Sequence, residues 1–360
     1  MKYLPDGIGL YIHIPFCRKK CAYCDFYSVI PGENVYKEYF GALLREIKKW
    51  GGEINRPVKT IYLGGGTPSL LGKDIVPLTD CIRQNFSVLP GAEITAECNP
   101  GADTGFYAAA FAAGVNRLSV GVQAGENGRL KLLGRTHTKE DAAAAVFAAR
   151  RAGFENISCD IMIALPDSSI KTLKEDIDFI CSLEPRHISA YILKIEKNTA
   201  FYARRDELRL PDEDSAADQY LCLCRELKSR GYSHYEISNF AKAGFESRHN
   251  LIYWRCGEYL GIGPAAHSYL GGRRFYYPRD IKAFIAGGAP CSDGTGGDKA
   301  ERLMLALRLS EGIDLAELSP EAANKARLFE QNGLLKITGN RLSLTDKGML
   351  VSNSIETELI

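Results

Sequence analysis

Six strand-like segments alternate with helical segments along the first 195 residues, and this alternation constrains the fold more than any other feature. The strand-like runs are apolar and rich in β-branched residues, at Ile8–Ile14, Val58–Leu63, Glu93–Cys98, Val115–Val122, Ile157–Ile163 and His187–Ile195. Each connection is long enough for a helix, so the strands run parallel with right-handed crossovers. The order predicts an α/β fold, a barrel or partial barrel of six β/α units.

Several chemically informative features fall at or near the carboxyl ends of the predicted strands. They are the cysteine loop Cys17–Cys24, the glycine run Gly64–Gly66, Glu97, Gln123 and Asp160. Barrels of this class build their sites at that end of the strands. The convergence therefore predicts one shared site, and it does so independently of any family assignment.

Cys17, Cys21 and Cys24 have C-x3-C-x2-C spacing in a short loop after the first strand. Structural zinc sites and electron-transfer clusters normally take four protein ligands, whereas a centre that binds a substrate keeps one position open. Three cysteines therefore favour a four-iron cluster in which one iron is free for an exogenous chelator. Two alternatives remain open at this point, namely buried free cysteines and a zinc ion completed by a distant His or Cys.

Polar residues near this loop have both a structural and a ligand-binding interpretation. The segment Gly64–Pro68 follows a strand, and its glycines permit positive φ and close approach of a ligand to backbone amides. Glu97 and Gln123 end predicted strands, and Arg135 lies in a Gly-Arg-Thr-His segment. Asp160 is a carboxylate on an apolar strand, where it needs a partner. Each of these residues, taken alone, is more often a structural polar group.

A second unusual stretch is His249-Asn250-Leu251-Ile252-Tyr253-Trp254. A lone histidine is usually structural. Here an amide follows the histidine, and two aromatic residues lie about one helical turn further on. This combination suits a flat hydrophobic ligand that takes an axial nitrogen.

Composition excludes several classes of protein. Lys and Arg number 45 against 44 Asp and Glu, so the net charge of +1 gives no reason to expect a nucleic-acid partner. No run approaches the ~18 apolar residues of a membrane span. The start of the chain does not resemble a signal peptide, so we expect a cytoplasmic protein, with peripheral membrane contact left open. The eleven cysteines are an odd number in a long chain, which predicts free thiols outside the loop.

The sequence pattern changes after residue 210 and predicts three units. Residues 1–210 form the barrel, and residues 211–290 form an aromatic and glycine-rich extension. The stretch Gly287–Gly297 has the composition of a linker or mobile loop. Residues 298–360 contain helices and a hairpin, which predict a small winged-helix-like domain. This domain lacks a basic stripe, so we expect a structural or partner-binding role and not DNA binding.

The cysteine spacing, with an aromatic residue before the third cysteine, resembles the radical S-adenosylmethionine (SAM) superfamily. The context Tyr-Ile-His-Ile-Pro-Phe-Cys resembles its branch around the oxygen-independent coproporphyrinogen III oxidase, over about residues 8–350. The resemblance implies a partial barrel, a [4Fe–4S] cluster on the three cysteines, and SAM chelated by the open iron and cleaved to a radical. The SAM-contacting positions that it implies are Tyr11, Tyr23, Gly65, Gly66, Thr67, Glu97, Gln123, Arg135 and Asp160. Ala164 stands where the family usually has Gly.

Within this branch, the hexapeptide resembles the H-N-x-x-Y-W motif of the heme chaperones, as does His267 in its Gly-Ile-Gly-Pro-Ala-Ala-His context. This resemblance implies bound heme, with candidate contacts His249, Asn250, Tyr253 and Trp254. The alternative is the oxidase, which converts coproporphyrinogen III to protoporphyrinogen IX. The oxidase carries a further Cys where this chain has Phe26, and a longer segment before the cysteine loop. We therefore favour the chaperone, with an unidentified heme acceptor and electron donor.

Overall fold

The structure, a computed structural model, describes residues 6–360, so the first five residues of the predicted barrel lie outside it. Its first six strands are β1 Ile8–Ile14, β2 Val58–Gly65, β3 Val88–Cys98, β4 Arg117–Gln123, β5 Asn156–Ile163 and β6 His187–Ile192. The helices between them are α1 Glu33–Glu53, α2 Ile75–Asn85, α3 Thr104–Ala112, α4 Asn127–Leu132, α5 Lys139–Arg151 and α6 Ile170–Ser182. The six strands are neighbours in sequence order and every pair is parallel. The predicted partial barrel is confirmed.

The middle of each barrel strand is buried on both faces, and these two faces differ in chemistry. On β4, Leu118, Val120 and Val122 belong to the apolar core, whereas Arg117 and Ser119 are buried polar residues at the alternating positions. Successive side chains of a strand point to opposite faces. The apolar face packs against the surrounding helices, and the polar face therefore lines the interior of the barrel.

Helix formation follows local sequence signals. Ser169 caps α6 by accepting a hydrogen bond from the Thr172 amide, and the Thr172 side chain bonds back to the Ser169 amide. Leu173, Ile177 and Ile180 then recur at helical spacing and are buried against the sheet. This spacing gives α6 one apolar face, which is what a helix on the outside of a barrel requires.

The chain after β6 extends the sheet at both edges. Its elements are α7 Ala200–Ala203, α8 Glu213–Ser229, β7 Ser233–Glu236, β8 Asn239–Ala241, α9 Arg248–Trp254, β9 Tyr259–Ile262, β10 His267–Leu270, β11 Arg273–Tyr276, α10 Ile281–Ile285 and β12 Cys291–Thr295. β8 pairs antiparallel with β6, and β9 pairs parallel with β1. Within residues 6–360 the sheet thus has twelve strands, and it continues past residue 210. The domain boundaries predicted from sequence stay predictions.

The prediction of a linker or mobile loop at Gly287–Gly297 is wrong, because this stretch contains β12. β12 pairs antiparallel with β11 at the edge of the sheet. All five of its residues are exposed, so no alternation of apolar and polar residues marks the strand in the sequence. Its pairing with β11 defines the strand.

The last elements are α11 Lys299–Leu307, β13 Ile313–Asp314, α12 Pro320–Gln331, β14 Leu335–Thr338, β15 Arg341–Leu344, α13 Asp346–Leu350 and α14 Ser352–Leu359. β14 and β15 form the predicted hairpin, with Gly339 at φ +60° in its turn, and β13 joins them in a small antiparallel sheet. Two helices and this hairpin give the winged-helix-like arrangement. Two short helices, α13 and α14, follow the hairpin.

Among residues 6–360, no helix combines the length and the apolarity that crossing a bilayer requires.

The residue after the end of helix α6 has a strained backbone conformation, and a substitution there can measure the cost of that strain. Glu184 follows its C-cap with φ +48°, a left-handed conformation that favours glycine, and its side chain is exposed. Glu184→Gly should raise the free energy of unfolding by about 0.5–1 kcal/mol, because relief of backbone strain exceeds the entropy gained by the unfolded chain. Thermal and denaturant midpoints measure this change.

Glu175→Gly is the matched control, because Glu175 is exposed within the same helix. A glycine there should lower the unfolding free energy by about 1 kcal/mol. If both substitutions destabilise the protein equally, Glu184 is not strained.

Candidate cofactor-binding site

A cavity of about 390 Å³ lies at the carboxyl ends of the barrel strands. This volume is within the range of small-molecule sites. The predicted residues in its wall are Cys17, Cys21, Tyr23, Cys24, Gly65, Gly66, Thr67, Glu97, Gln123, Arg135 and Asp160. The structure therefore brings the cysteine loop, the glycine run and the polar strand ends into one site.

The cysteine loop is fastened at its base. The Cys17 amide donates to the Val29 carbonyl at 3.0 Å, and the Val29 amide donates to the Pro15 carbonyl at 2.7 Å. Phe16 is fully buried and makes an edge-to-face contact with Tyr39, with ring centroids 5.0 Å apart. This anchoring holds the loop at the end of β1, where its three thiols face the cavity.

A chain of polar contacts connects two of the three thiols. Cys17 Sγ lies 3.5 Å from Thr67 Oγ1, which accepts a hydrogen bond from Asn99 Nδ2 at 3.0 Å. Arg135 Nη2 donates to Asn99 Oδ1 at 2.6 Å, while Nη1 lies 3.5 Å from Cys21 Sγ. Asn99 was not among the residues predicted from sequence. The available signal was an amide directly after β3, at the same end as the other site residues.

The glycine run has steric reasons to contain glycine. Gly65 has φ +117°, and a Cβ there would lie 2.7 Å from His13 Cε1. A Cβ on Gly66 would lie 2.5 Å from the Phe16 carbonyl oxygen. The loop after β2 therefore packs directly on the β1 strand and the start of the cysteine loop, and only glycine permits this approach.

Glu97 is a half-buried carboxylate at the end of β3. Tyr62 donates its hydroxyl to Glu97 Oε1 at 2.8 Å, and the Gly65 amide donates to Oε2 at 3.1 Å. Burial raises the pKa of Glu97 to about 7, although both hydrogen bonds oppose the shift. A cationic or hydroxyl-bearing ligand would favour its ionised form.

Asp160 and Gln123 face the same cavity from β5 and β4. Ser119 donates to Asp160 Oδ1 at 3.2 Å, and burial raises the pKa of Asp160 despite the positive charges of Arg117 and Arg135. Gln123 is buried at φ +73°, which is rare for a residue other than glycine. Strained backbone of this kind is typical of functional sites.

Ala164, at the position usually occupied by Gly in the family, has φ +55°. The departure from the family's pattern thus falls on a left-handed turn just after β5.

Three observations test whether this site suits an iron–sulfur cluster and SAM. The three thiols line one cavity. The wall of this cavity contains one further cysteine, Cys98, which belongs to the apolar core, and no histidine. Burial, and then the neighbouring thiols, raise the pKa of Cys24 to about 11, which a bound cation would reverse. Arg135 supplies positive charge beside Cys21. The donor set fits a cluster with an open position.

The structure separates the predicted heme contacts from this cavity. His249 approaches Thr60, the third residue of β2, whereas the cavity begins at Gly65, the last. Five residues of strand span roughly 16 Å. Helix α9 therefore closes the amino-terminal end of the barrel, opposite the cysteine loop.

His249 is 1% exposed, and both of its ring nitrogens are engaged. Nδ1 lies 2.7 Å from Thr60 Oγ1, and Nε2 lies 2.8 Å from Tyr253 Oη. Burial lowers the pKa of His249 to about 3, so the ring is neutral. The Arg248 and His249 amides donate to the Glu93 carboxylate at 3.0 and 2.9 Å. In this conformation, neither nitrogen of His249 is free for iron.

The other motif residues surround this buried histidine. Tyr253 packs edge-to-face on Tyr259, with ring centroids 4.5 Å apart, and the Arg308 guanidinium lies 5.4 Å from the Trp254 ring. Asn250 and Trp254 are half-buried at the outer side of α9. His267 is exposed and stacks on Tyr276 at 5.3 Å.

Tyr11 also lies away from the cavity wall. It packs on Tyr62 inside the barrel, with its hydroxyl 3.0 Å from His13 Nδ1.

A larger open groove, of about 1070 Å³, lies beside the starts of β5 and β6, and none of the predicted site residues line it.

Comparisons with known proteins agree with these observations. Residues 11–180 match the radical SAM superfamily, and residues 300–351 match the HemN C-terminal domain. The chain is 35% identical to the heme chaperone HemW of Mycobacterium tuberculosis, over 98% of this chain and 94% of that protein. It is 34% identical to HemW of Bacillus subtilis (96% and 97% covered) and 41% identical to HemW of Escherichia coli (72% and 69% covered).

The solved structure of coproporphyrinogen III oxidase (HemN) from Escherichia coli, a radical SAM enzyme, superposes with a TM-score of 0.82. It covers 99% of this chain and 91% of that one at 23% identity, which shows the shared fold. The resemblance inferred from the motifs is confirmed. The chain belongs to the radical SAM superfamily and, within it, to the HemW family.

Proposed function

We propose that the chain is a heme chaperone that holds a [4Fe–4S] cluster and SAM at the carboxyl ends of its barrel strands and delivers heme to an acceptor protein. The cavity supports the first part, because one wall supplies three thiols and the others supply polar strand ends. The second part is supported by the heme chaperones to which the chain is similar over nearly its whole length.

Cys17, Cys21 and Cys24 would hold the cluster. Bound there, the cluster and SAM supply one-electron chemistry. Arg135 and Thr67 contribute a positive charge and a hydroxyl beside the Cys21 and Cys17 sulfurs. Hydrogen bonds and charge of this kind adjust the reduction potential of an iron–sulfur centre.

The remaining cavity residues would bind SAM. Glu97 and Asp160 offer carboxylates to its ammonium group or ribose hydroxyls, and the bare backbone of Gly65 and Gly66 permits close approach. Tyr23 lines the cavity beside the third cysteine, where an aromatic ring would cover the adenine. Positioning of SAM thus rests on groups already fixed by the barrel.

Heme contact by the α9 motif requires a change from the observed conformation. His249 can reach a heme iron only after it leaves Thr60 and Tyr253. Asn250 and Trp254 are already half-exposed. We therefore propose that heme meets the outer side of α9 first, and that axial coordination by His249 follows opening of that end of the barrel.

The cluster assignment predicts iron content. Anaerobically reconstituted protein should contain about four irons per chain, and Cys17→Ala, Cys21→Ala or Cys24→Ala should each abolish the cluster. Cys291→Ser is the matched control, because Cys291 is exposed on β12 and should be dispensable. Iron analysis and the EPR spectrum of the reduced protein measure both. A triple alanine variant that keeps the brown chromophore would contradict the assignment.

The SAM assignment predicts a loss of binding with the cluster intact. Asp160→Asn should weaken SAM binding about tenfold to a hundredfold, because a hydrogen bond to a charged group contributes ~1.5–3 kcal/mol. Gln123→Ala should also weaken it. Equilibrium binding under anaerobic conditions measures this, with iron content determined in parallel.

Asp80→Asn, on the exposed face of α2, is the control for the aspartate substitution and should bind SAM normally. Loss of iron in both cavity variants would assign them a structural role instead.

The heme proposal predicts opposite effects of two substitutions. His249→Ala should weaken heme binding, whereas Thr60→Val should tighten it about two- to tenfold, since the valine removes one hydrogen bond that holds His249 inside the barrel. Soret titration measures both, and the iron–sulfur spectrum should be unchanged.

Thr79→Val, which alters a buried threonine of α2 bonded to the Ile75 carbonyl, is the matched control. Equal heme affinity in all three variants would exclude coordination by His249. Conversion of coproporphyrinogen III by the wild-type chain would contradict the chaperone proposal as a whole.

A further inference from the structure

A thiol, an imidazole and a carboxylate converge far from the cofactor cavity, where α8, β7 and α13 meet. His234 Nδ1 lies 3.0 Å from Asp346 Oδ1 and 4.0 Å from Cys224 Sγ. One donor atom of each of the three residues lies within 4.8 Å of the other two. Cys224 is buried, the His234 side chain is 8% exposed, and the Asp346 side chain is 36% exposed, so the cluster opens to solvent on one side.

These separations suit a tetrahedral metal ion. Bonds of about 2.3 Å to sulfur and 2.0–2.2 Å to nitrogen and oxygen place neighbouring donor atoms roughly 3.3–3.6 Å apart. The two measured distances lie on either side of this value, and side-chain adjustments of about 0.5 Å would match it. A hydrogen bond between His234 and Asp346 accounts for the carboxylate beside Nδ1. It does not account for the Cys224 thiol that lies beside the same nitrogen.

The second nitrogen of the imidazole supports the same reading. His234 Nε2 lies 3.4 Å from the Ile237 carbonyl oxygen and 3.4 Å from Tyr220 Oη. Tyr220 donates its own hydroxyl to that carbonyl at 3.0 Å, so Nε2 faces two oxygens that accept. A proton on Nε2 satisfies them. Metal-bound histidines commonly donate their other ring N–H to a backbone carbonyl in this way.

With its proton on Nε2, the neutral ring directs the lone pair of Nδ1 towards a carboxylate and a sulfur. A metal ion among the three atoms would satisfy this lone pair, the carboxylate and the sulfur together. The ring is also held in orientation, because it stacks on Phe240 with centroids 4.2 Å apart and planes 13° apart. A rigid, oriented imidazole is what a metal ligand needs.

Charge balance favours a divalent ion. The Asp346 carboxylate lies 3.0 Å from the imidazole and offers an oxygen ligand to such an ion. A cysteine binds a metal ion as its thiolate, so binding would release the proton of Cys224. One thiolate and one carboxylate then neutralise a 2+ charge.

We propose that Cys224, His234 and Asp346 form a second metal site, for Zn²⁺ or a similar borderline ion, with water in the fourth position. A thiolate with an imidazole and a carboxylate is a ligand set that zinc accepts. His234 and Asp346 are 112 residues apart, so the ion would tie the carboxyl-terminal segment to the β7 edge of the large sheet. This proposal does not depend on heme or SAM.

The test uses the full chain with Cys17, Cys21 and Cys24 replaced by alanine, which removes the iron–sulfur absorption. After treatment with a chelator, this protein should bind one equivalent of Co²⁺ and develop a sulfur-to-cobalt charge-transfer band together with the visible bands of a tetrahedral ion. Zinc should compete with cobalt and bleach these bands. Elemental analysis of protein grown with zinc should find one zinc per chain.

Cys224→Ser should abolish the charge-transfer band and weaken metal binding at least tenfold. Asp346→Asn, at a half-exposed position, should weaken binding and keep the band. Cys222→Ser is the matched control, since Cys222 is buried on the same helix but has no place in the cluster. It should retain both the band and the affinity. An absence of cobalt binding, or an unchanged band in Cys224→Ser, would overturn the proposal.

Discussion

The polar interior of the barrel is the constraint on which the rest of the structure depends. A parallel strand in this fold is buried on both faces, so polar side chains that point inwards must find partners within the barrel or lose about 1–3 kcal/mol each. Ser158 lies 2.7 Å from His187 Nδ1, and Tyr235 lies 2.9 Å from His187 Nε2. Arg117 is 2% exposed. Its positive charge lowers the pKa of Glu97 and of Asp160 and so opposes the increase that burial causes.

The two ends of this interior differ in whether their polar groups are available to a ligand. At the carboxyl end of the strands the polar groups face a cavity and are left available to a ligand. At the amino end α9 enters the barrel and its backbone amides bond to Glu93. Gly9 permits this entry, because a Cβ there would lie 3.0 Å from Ile252 Cδ1 and 3.2 Å from His249 Cε1. One end is thus open for binding, and the other is closed by packing.

Sequence reasoning located residues of the cavity wall where these residues stand at or near strand ends. Glu97 and Gln123 were identifiable because they stand at the ends of apolar runs, and Asp160 because it is a carboxylate within one. The carboxyl ends of parallel strands meet at one site. The depth of His249 was not predictable, because it depends on Thr60, a residue 189 positions away. Neither local pattern nor composition carries that information.

Other differences have similar causes. Asn99 precedes a proline and reads as an ordinary loop residue, yet tertiary contacts place it between Thr67 and Arg135. The β12 strand has no buried side chain, so only its pairing partner reveals it. What sequence reasoning missed was therefore set by contacts between segments that are distant in the chain.

The buried histidine has a consequence for how the two ends influence one another. The His249 ring stacks on Tyr62 at 5.2 Å, and Tyr62 donates to Glu97, which in turn accepts from the Gly65 amide. A ligand that draws His249 out of the barrel removes the support beneath Tyr62 and so changes the free energy of the glycine loop. Thermodynamic linkage then requires that a ligand bound in the cavity change the affinity of the ligand that binds His249 by the same factor. Occupancy of the cavity at the carboxyl end of the strands would therefore change the free energy needed to open the amino end, which α9 closes.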